Sequence, residues 1–351
     1  MATLSAIRPT VGELLPVQRI VLDPLPTVPA PTLLTREQLP STPAKCWNGQ
    51  SVLTANDRLL AVRERLPVFH REPFVLNGIE NPNYDVIVEE GTDYPITTVS
   101  KSYGLMQHEI VFDRAMDGLG TLGFDLHGMG AEMALTAHGE RLKISVTIPG
   151  YDFDPGDGCP LVLRMNLLNS VDKTTAVAVE LEWLRLVCGN GMMSGIGVSG
   201  FRKAHFRGID EQDIAEYLAI SLKSVPQDRQ LMHQWLERDV TQPRALAWVD
   251  QQVAGLWGDP TAARVWHILR NGEDARPEIH RGSDDSPLPV VPAHERPVVP
   301  LGPIPGAFAP VSNAYHVAQA LSWVAKEHSN MGTRLRRIKE IPQLMGELLG
   351  N

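Results

Sequence analysis

Residues 141–148 read RLKISVTI: Leu142, Ile144, Val146 and Ile148 are apolar, and Arg141, Lys143, Ser145 and Thr147 between them are polar. Strand side chains project to opposite faces in turn, so this period of two marks a strand with one face on a core. The pattern returns on both sides. Met133, Leu135 and Ala137 alternate before it, and Leu161, Leu163, Met165 and Leu167 after it. In the next segment the apolar positions are Val177, Val179, Leu181 and Trp183, and then shift by one to Leu184, Leu186 and Cys188. A strand cannot change faces without an extra residue, which predicts a bulge or bend near Trp183. The turns at His138-Gly139 and Ser170 to Thr174 are short enough for hairpins, so an antiparallel meander is expected. The opposite face carries Arg141, Lys143, Arg164 and Asn166, as on a half-open sheet with one polar, partly cationic side.

Outward from these strands, Tyr94 to Ser100 reads as another strand. Gln107 to Leu122 reads as an amphipathic helix with Ile110, Val111, Ala115 and Leu119 inward. The first helical signal is Asn56 to Leu66. Asp210 with Asp213 marks a helix start, followed by Ile214, Tyr217, Leu218 and Leu222 on one face. Residues 231–236, 245–256 and 261–269 continue the helical pattern, with Trp235, Trp248, Trp257 and Trp266 as packing anchors. The expected fold is α+β: a twisted antiparallel sheet of five or more strands with helices on one face, plus a helical C-terminal part.

Proline punctuates the chain, because it fixes a backbone torsion and removes a donor. Residues 1–50 read as a proline-rich extended arm, 51–275 as the core domain, 276–311 as a proline-rich linker and 312–351 as a helical segment. The last segment carries an apolar stripe at Ala314, Val317, Ala318, Leu321, Val324 and Ala325. A stripe of that length has to be covered, by folding back on the chain's own sheet or by docking on a neighbouring subunit, and a homo-oligomer in which the C-terminal helices or the N-terminal arm reach a neighbour is expected.

Hydrophobic content of 43% and charged content of 21% are those of an ordinary globular protein. The net charge of −9 argues against coating nucleic acid with the whole surface, but leaves room for a local basic groove. Cys46, Cys159 and Cys188 stand singly, giving neither a disulfide framework nor a cysteine-rich zinc site. With no signal peptide and no run of about eighteen apolar residues, a cytoplasmic protein with no membrane contact is expected.

Chemistry concentrates in residues 181–208, LEWLRLVCGNGMMSGIGVSGFRKAHFRG. An apolar strand meets a Gly-Asn-Gly turn, and an acid-free patch follows: Phe201, Arg202, Lys203, His205, Phe206 and Arg207. Cations for phosphates and rings for bases are the two requirements of single-strand binding. Arg141, Lys143, Arg164 and Arg185 would extend that surface if the strands align, although Glu180 and Glu182 interrupt it. The plainer alternative is an ordinary solvated face. A thiol enzyme would use Cys188 with His205 and an orienting Asn190 or Asp172, yet a cysteine ending an apolar strand is more simply a packed thiol. Asp152, Asp154 and Asp157 resemble a calcium loop with the wrong spacing, so an acidic turn is the simpler reading. His108, His127, His138 and His205 have no zinc spacing, and no phosphate-binding glycine motif occurs; no metal and no cofactor is expected. Asn169 and Asp172 read as turn formers bonding their own backbone, and the glycines flanking Asn190 as sites of positive torsion.

Several of these segments together resemble a known family. They are Asn169-Ser170-Val171-Asp172-Lys173-Thr174, Arg185-Leu186-Val187-Cys188-Gly189-Asn190, Lys203-Ala204-His205, Val99 to Tyr103, Gln107-His108 and the helical Asn313 to Glu327. In order and spacing the chain, from about residue 85 onward, resembles the phage/plasmid-like family called domain of unknown function 932. The resemblance implies a mobile-element context and transfers no catalytic residue. A more distant likeness, in architecture alone, is to the RAD52-type single-strand annealing proteins. The expected function is non-enzymatic binding or annealing of single-stranded DNA by a homo-oligomer. A structural or interaction protein of the mobile element is the alternative, and a cysteine enzyme comes third.

Overall fold

The computed structural model describes residues 44–185, 191–193, 201–203, 211–278 and 291–350, all within one compact unit. The chain opens with β1 (Cys46–Trp47), β2 (Gln50–Arg58), a short helix α1 (Leu59–Arg63), β3 (Phe69–Leu76), β4 (Ile79–Glu89) and β5 (Tyr94–Ser100). Helix α2 (His108–Thr121) leads into β6 (Gly130–Thr136), β7 (Arg141–Phe153), β8 (Leu161–Ser170) and β9 (Val177–Arg185). After β10 (Gly191–Met193) and β11 (Phe201–Lys203) come α3 (Glu211–Lys223), α4 (Val225–Glu237) and α5 (Gln242–Trp248). A π-helical turn joins α5 to α6 (Ala254–Trp257), and α7 (Asp259–Asn271) follows. Strands β12 (Glu273–Pro277) and β13 (Val298–Pro303) precede the final helices α8 (Ala314–Lys326) and α9 (Met331–Leu349).

The fold is α+β. Its main sheet runs β1-β2-β6-β7-β8-β9-β10, every neighbouring pair antiparallel, with β11 also on the far edge of β9. The hairpins at His138-Gly139 and Ser170 to Thr174 join β6 to β7 and β8 to β9, with Gly139 in the left-handed region at φ 74°. On the first face of the sheet, Leu142, Ile144, Leu163, Met165, Val179 and Trp183 pack with α2, α3 and the tryptophans of α4, α5, α6 and α7 in one core.

Several expectations are corrected. Strand β9 passes Trp183 with no shift of register against β8. Both faces of it are covered, so Leu184 is buried on the second face without any need for a bulge. Helices α2 to α7 pack on the first face, and the C-terminal helix α9 covers the second. Residues 56–58 belong to β2, and the helix starts at Leu59. In α2 the inward residues are Val111, Phe112, Ala115, Met116 and Leu119, while Ile110 is exposed. The span 276–311 is not a bare linker where it is described. β13 pairs with β12, and Ala293, Ile304 and Val311 enter the core.

The C-terminal stripe is also covered from within. Ala314, Val317, Ala318, Leu321, Val324 and Ala325 are all buried in the chain's own core, so they offer no face to a neighbouring subunit. In the second sheet, β3-β4-β5, the strand read at Tyr94 to Ser100 is β5, whereas β3 and β4 were not legible because Pro73 and Pro82 interrupt their alternation and β3 shifts register beside Pro73. The turn between β3 and β4 is Asn77-Gly78, whose φ values of 53° and 77° are those of a type I′ hairpin turn.

Leu321→Ala should therefore cost about 2–5 kcal/mol, because the cavity opens inside a closed core. Urea unfolding measures it. A loss under about 1 kcal/mol would show that the stripe is not packed as described.

Candidate functional site

The second face of the main sheet is a buried layer of charge. Cross-strand register places Glu132 of β6 opposite Ser145 of β7, Ser145 opposite Asn166 of β8, and Arg164 of β8 opposite Glu182 of β9. Arg164 Nε donates to Glu182 Oε1 at 2.6 Å and Nη1 to Glu132 Oε2 at 3.3 Å, and Ser145 Oγ bonds Asn166 Oδ1 at 2.7 Å. Helix α8 adds Lys326, and α9 adds Arg334 and Lys339, the last paired with Glu180. Burial works against charge on Glu182, yet Arg164, Lys143 and Lys326 hold its carboxyl far below the ordinary range. Burial, with Arg164 adding repulsion, brings the Lys326 ammonium down to about 7. Lys143 is lowered by burial in the same way.

Two latches tie the hairpin at 169–175 to its surroundings. Asn169 Nδ2 donates to His108 Nδ1 at 2.8 Å and to the Met106 carbonyl at 3.1 Å; His108 Nε2–H then donates to the Gly139 carbonyl at 2.7 Å. Asn169 thus joins the start of α2 to two hairpins, in place of the self-bonded turn expected for it. Asp172 does form its own turn, accepting from Thr174 N at 3.0 Å. It also receives Arg141, whose Nε lies 2.7 Å from Asp172 Oδ2 and 2.9 Å from Thr174 Oγ1, while Nη1 donates to the Trp47 carbonyl. Around the same hairpin Tyr103 and Lys173 reach the carbonyls of Val171 and Thr98.

Beside this hairpin lies a groove of about 390 Å³. One wall is α9, through Gly332, Arg336 and Lys339, spaced i, i+4 and i+7 on one helix face. The other wall is Thr174 and Thr175 with Ala178 of β9, and Trp47 and Asn48 close the end. None of the described lining residues is acidic. Arg336 is exposed, and Gly332 leaves room where a Cβ would stand 2.5 Å from Asn48 Oδ1. Register sets Arg202 of β11 opposite Ala178, and Phe201 and Lys203 opposite Val179 and Val177. The basic ribbon therefore begins beside the groove.

The cationic residues read from the sequence divide. Arg141, Lys143, Arg164 and Arg185 are buried, which corrects the expectation of an open cationic face: each is enclosed by the layers above or below its sheet. Arg141 and Arg164 hold carboxylates, and Arg185 holds Asp157 Oδ2 at 2.5 Å and the Gly306 carbonyl at 2.8 Å. Phe201, Arg202 and Lys203 lie on the sheet edge, and Cys188, Asn190, His205, Phe206 and Arg207 fall outside the described residues. Asp154 accepts from Gly156 N and Gly158 N, and Asp157 from Cys159 N and Arg185, so these two carboxylates are spent on the loop's own turn and on Arg185. In the sequence Arg336 and Lys339 stand in a basic cluster with Arg334 and Arg337, with nothing local to separate them. The periodicity did not show that the latter two are buried.

An antiparallel α+β protein with a small cationic groove at one hairpin end is the class that this geometry defines. Residues 95–271, half of the chain, match the family described as Domain of unknown function (DUF932), and the chain belongs to that family. The matched span holds both latches and the sheet wall of the groove, whereas α8 and α9 lie beyond it. No curated protein and no solved structure matches the chain.

Asn169→Ala should cost about 1–3 kcal/mol in urea unfolding, because it strips a buried hydrogen bond from His108 Nδ1. A neutral result would mean that the latch carries no stability.

Lys326 makes a pH test. Its pKa is about 7 in the fold against an ordinary value of 10.5, so between these the unfolded chain binds more protons and stability rises with pH. Lys326→Met should accordingly stabilise the protein at pH 6–7, with the gain fading toward pH 10.5. A constant difference in melting temperature across that window would show that Lys326 does not titrate there.

Proposed function

We propose that this chain binds single-stranded DNA without acting on it chemically, in the phage or plasmid setting that its family resemblance implies. The observation that carries this reading is a groove whose described lining holds no acid, with Arg336 and Lys339 on its helical wall and β11 registered against its residue Ala178, in a chain of net charge −9. An anionic polymer would be drawn to that place and repelled elsewhere. The hydroxyl of Thr333 and the amide of Asn48 supply further phosphate partners. The non-enzymatic part is supported by the use to which the reactive groups are put: Asp172, Asp157 and His108 are all engaged in holding the fold. Annealing, as in the RAD52-type proteins, would further require protomers side by side. Light scattering with and without DNA tests that step separately.

The binding test is fluorescence anisotropy on labelled oligothymidylate and on duplex DNA across a salt series. The parent should prefer the single strand. Arg202→Ala, Lys203→Ala and Arg336→Ala together should weaken binding, and each lost phosphate contact should flatten the salt slope by about 0.7. Unchanged affinity and slope in a folded triple variant would reject the groove as the DNA path. Equal affinity for an oligoribonucleotide would widen the substrate to single strands in general.

A further inference from the structure

Lys339 reaches from α9 across the groove wall to Glu180 on β9. Glu180 is 3% exposed, whereas the Lys339 side chain is 35% exposed and lines the groove. The strand neighbour across from Glu180 is the neutral Asn166, and Glu182 two residues on already has Arg164, with Lys143 and Lys326 close by. Glu180 is therefore not needed to balance the rest of the layer. Its ion-pair partner is Lys339, and it is a carboxylate standing directly behind a groove whose described lining holds none.

We propose that Glu180 is an internal counter-anion for the groove: it positions Lys339 and cancels much of its field until a DNA phosphate arrives. The proposal rests on the reading of the groove as a single-strand path. An ammonium has three donors, so Lys339 can keep Glu180 and still donate to a phosphodiester oxygen. What Glu180 removes is net charge, and in a partly enclosed site that charge is weakly screened. Neutralising Glu180 frees one more cation to displace a counterion. The rotamer freedom that Lys339 gains in return is small, because only 35% of its side chain is exposed. The charge effect wins, so Glu180 lowers affinity and salt sensitivity.

The experiment titrates a labelled oligothymidylate of about 20 nucleotides with the full chain, between 50 and 200 mM salt, monitoring melting of each variant. Glu180→Gln should bind about tenfold more tightly at 50 mM salt, with a salt slope steeper by about 0.7, a readout that a purely packing role would not move. In a Lys339→Gln background the same change should give no gain. Equal or weaker binding by Glu180→Gln, or a gain that persists without Lys339, would overturn the proposal. If the parent binds and Glu180→Gln gains nothing, this inference fails and the DNA reading stands; if neither binds, both fall. Should Glu180→Gln not fold, Glu180→Asp keeps the charge but draws it back from Lys339. It should give a smaller gain of the same sign, and no gain would again overturn the idea.

Discussion

Arg164 and Glu182, paired across β8 and β9 and both nearly sealed from solvent, are the contact on which the second side of the molecule depends. A buried ion pair is not by itself a large source of stability, because desolvation offsets most of the attraction. Its consequence is geometric. Once these charges face away from the apolar core, they have to be enclosed, and α8 and α9 lie over them: Lys326 acts on Glu182 and Arg334 on Glu132 through space, and Lys339 pairs with Glu180. Cations outnumber carboxylates in that layer. Burial, with repulsion from Arg164 added, holds Lys326 at about 7, and the excess of positive charge borders the groove.

The hairpin between β8 and β9 links this layer to the groove. Arg141 binds Asp172, Thr174 and the Trp47 carbonyl, so one side chain fixes both the hairpin and the β1–β2 corner that closes the groove. On the other face, Asn169 and His108 fix the same hairpin to α2. The family signature in this region thus has a mechanical content. It sets the height of Thr174 and Thr175 on the groove wall, while the cations come from a helix outside the matched span.

The meander was legible in the sequence because alternation over β6, β7, β8 and β9 needs no knowledge of partners. The positions of Leu142, Ile144, Val146 and Ile148 imply a strand in any context. The helices α2, α4 and α7 were legible for the equivalent reason at a period near 3.6. What misled was exposure. Periodicity divides a strand into two faces but does not say whether a second layer lies on the polar one, so Lys143 and Arg164 looked like surface cations. The same limit applied to the stripe at Leu321 and Val324, which has the pattern of a docking face and packs within its own chain.

By itself, then, the sequence determined the strand and helix periods, the two hairpins, the family signature and the local excess of basic residues near 201–207 and 334–339. Only the tertiary structure decided which cations are spent and which remain. Arg141, Arg164 and Arg185 hold carboxylates that are distant in sequence or on the next strand, and Arg336 stays exposed. The physical reason is that charge pairing depends on which strands become neighbours and which helix lies across them. That information resides in the packing of residues more than a hundred positions apart, as with Glu180 and Lys339, and in no local pattern.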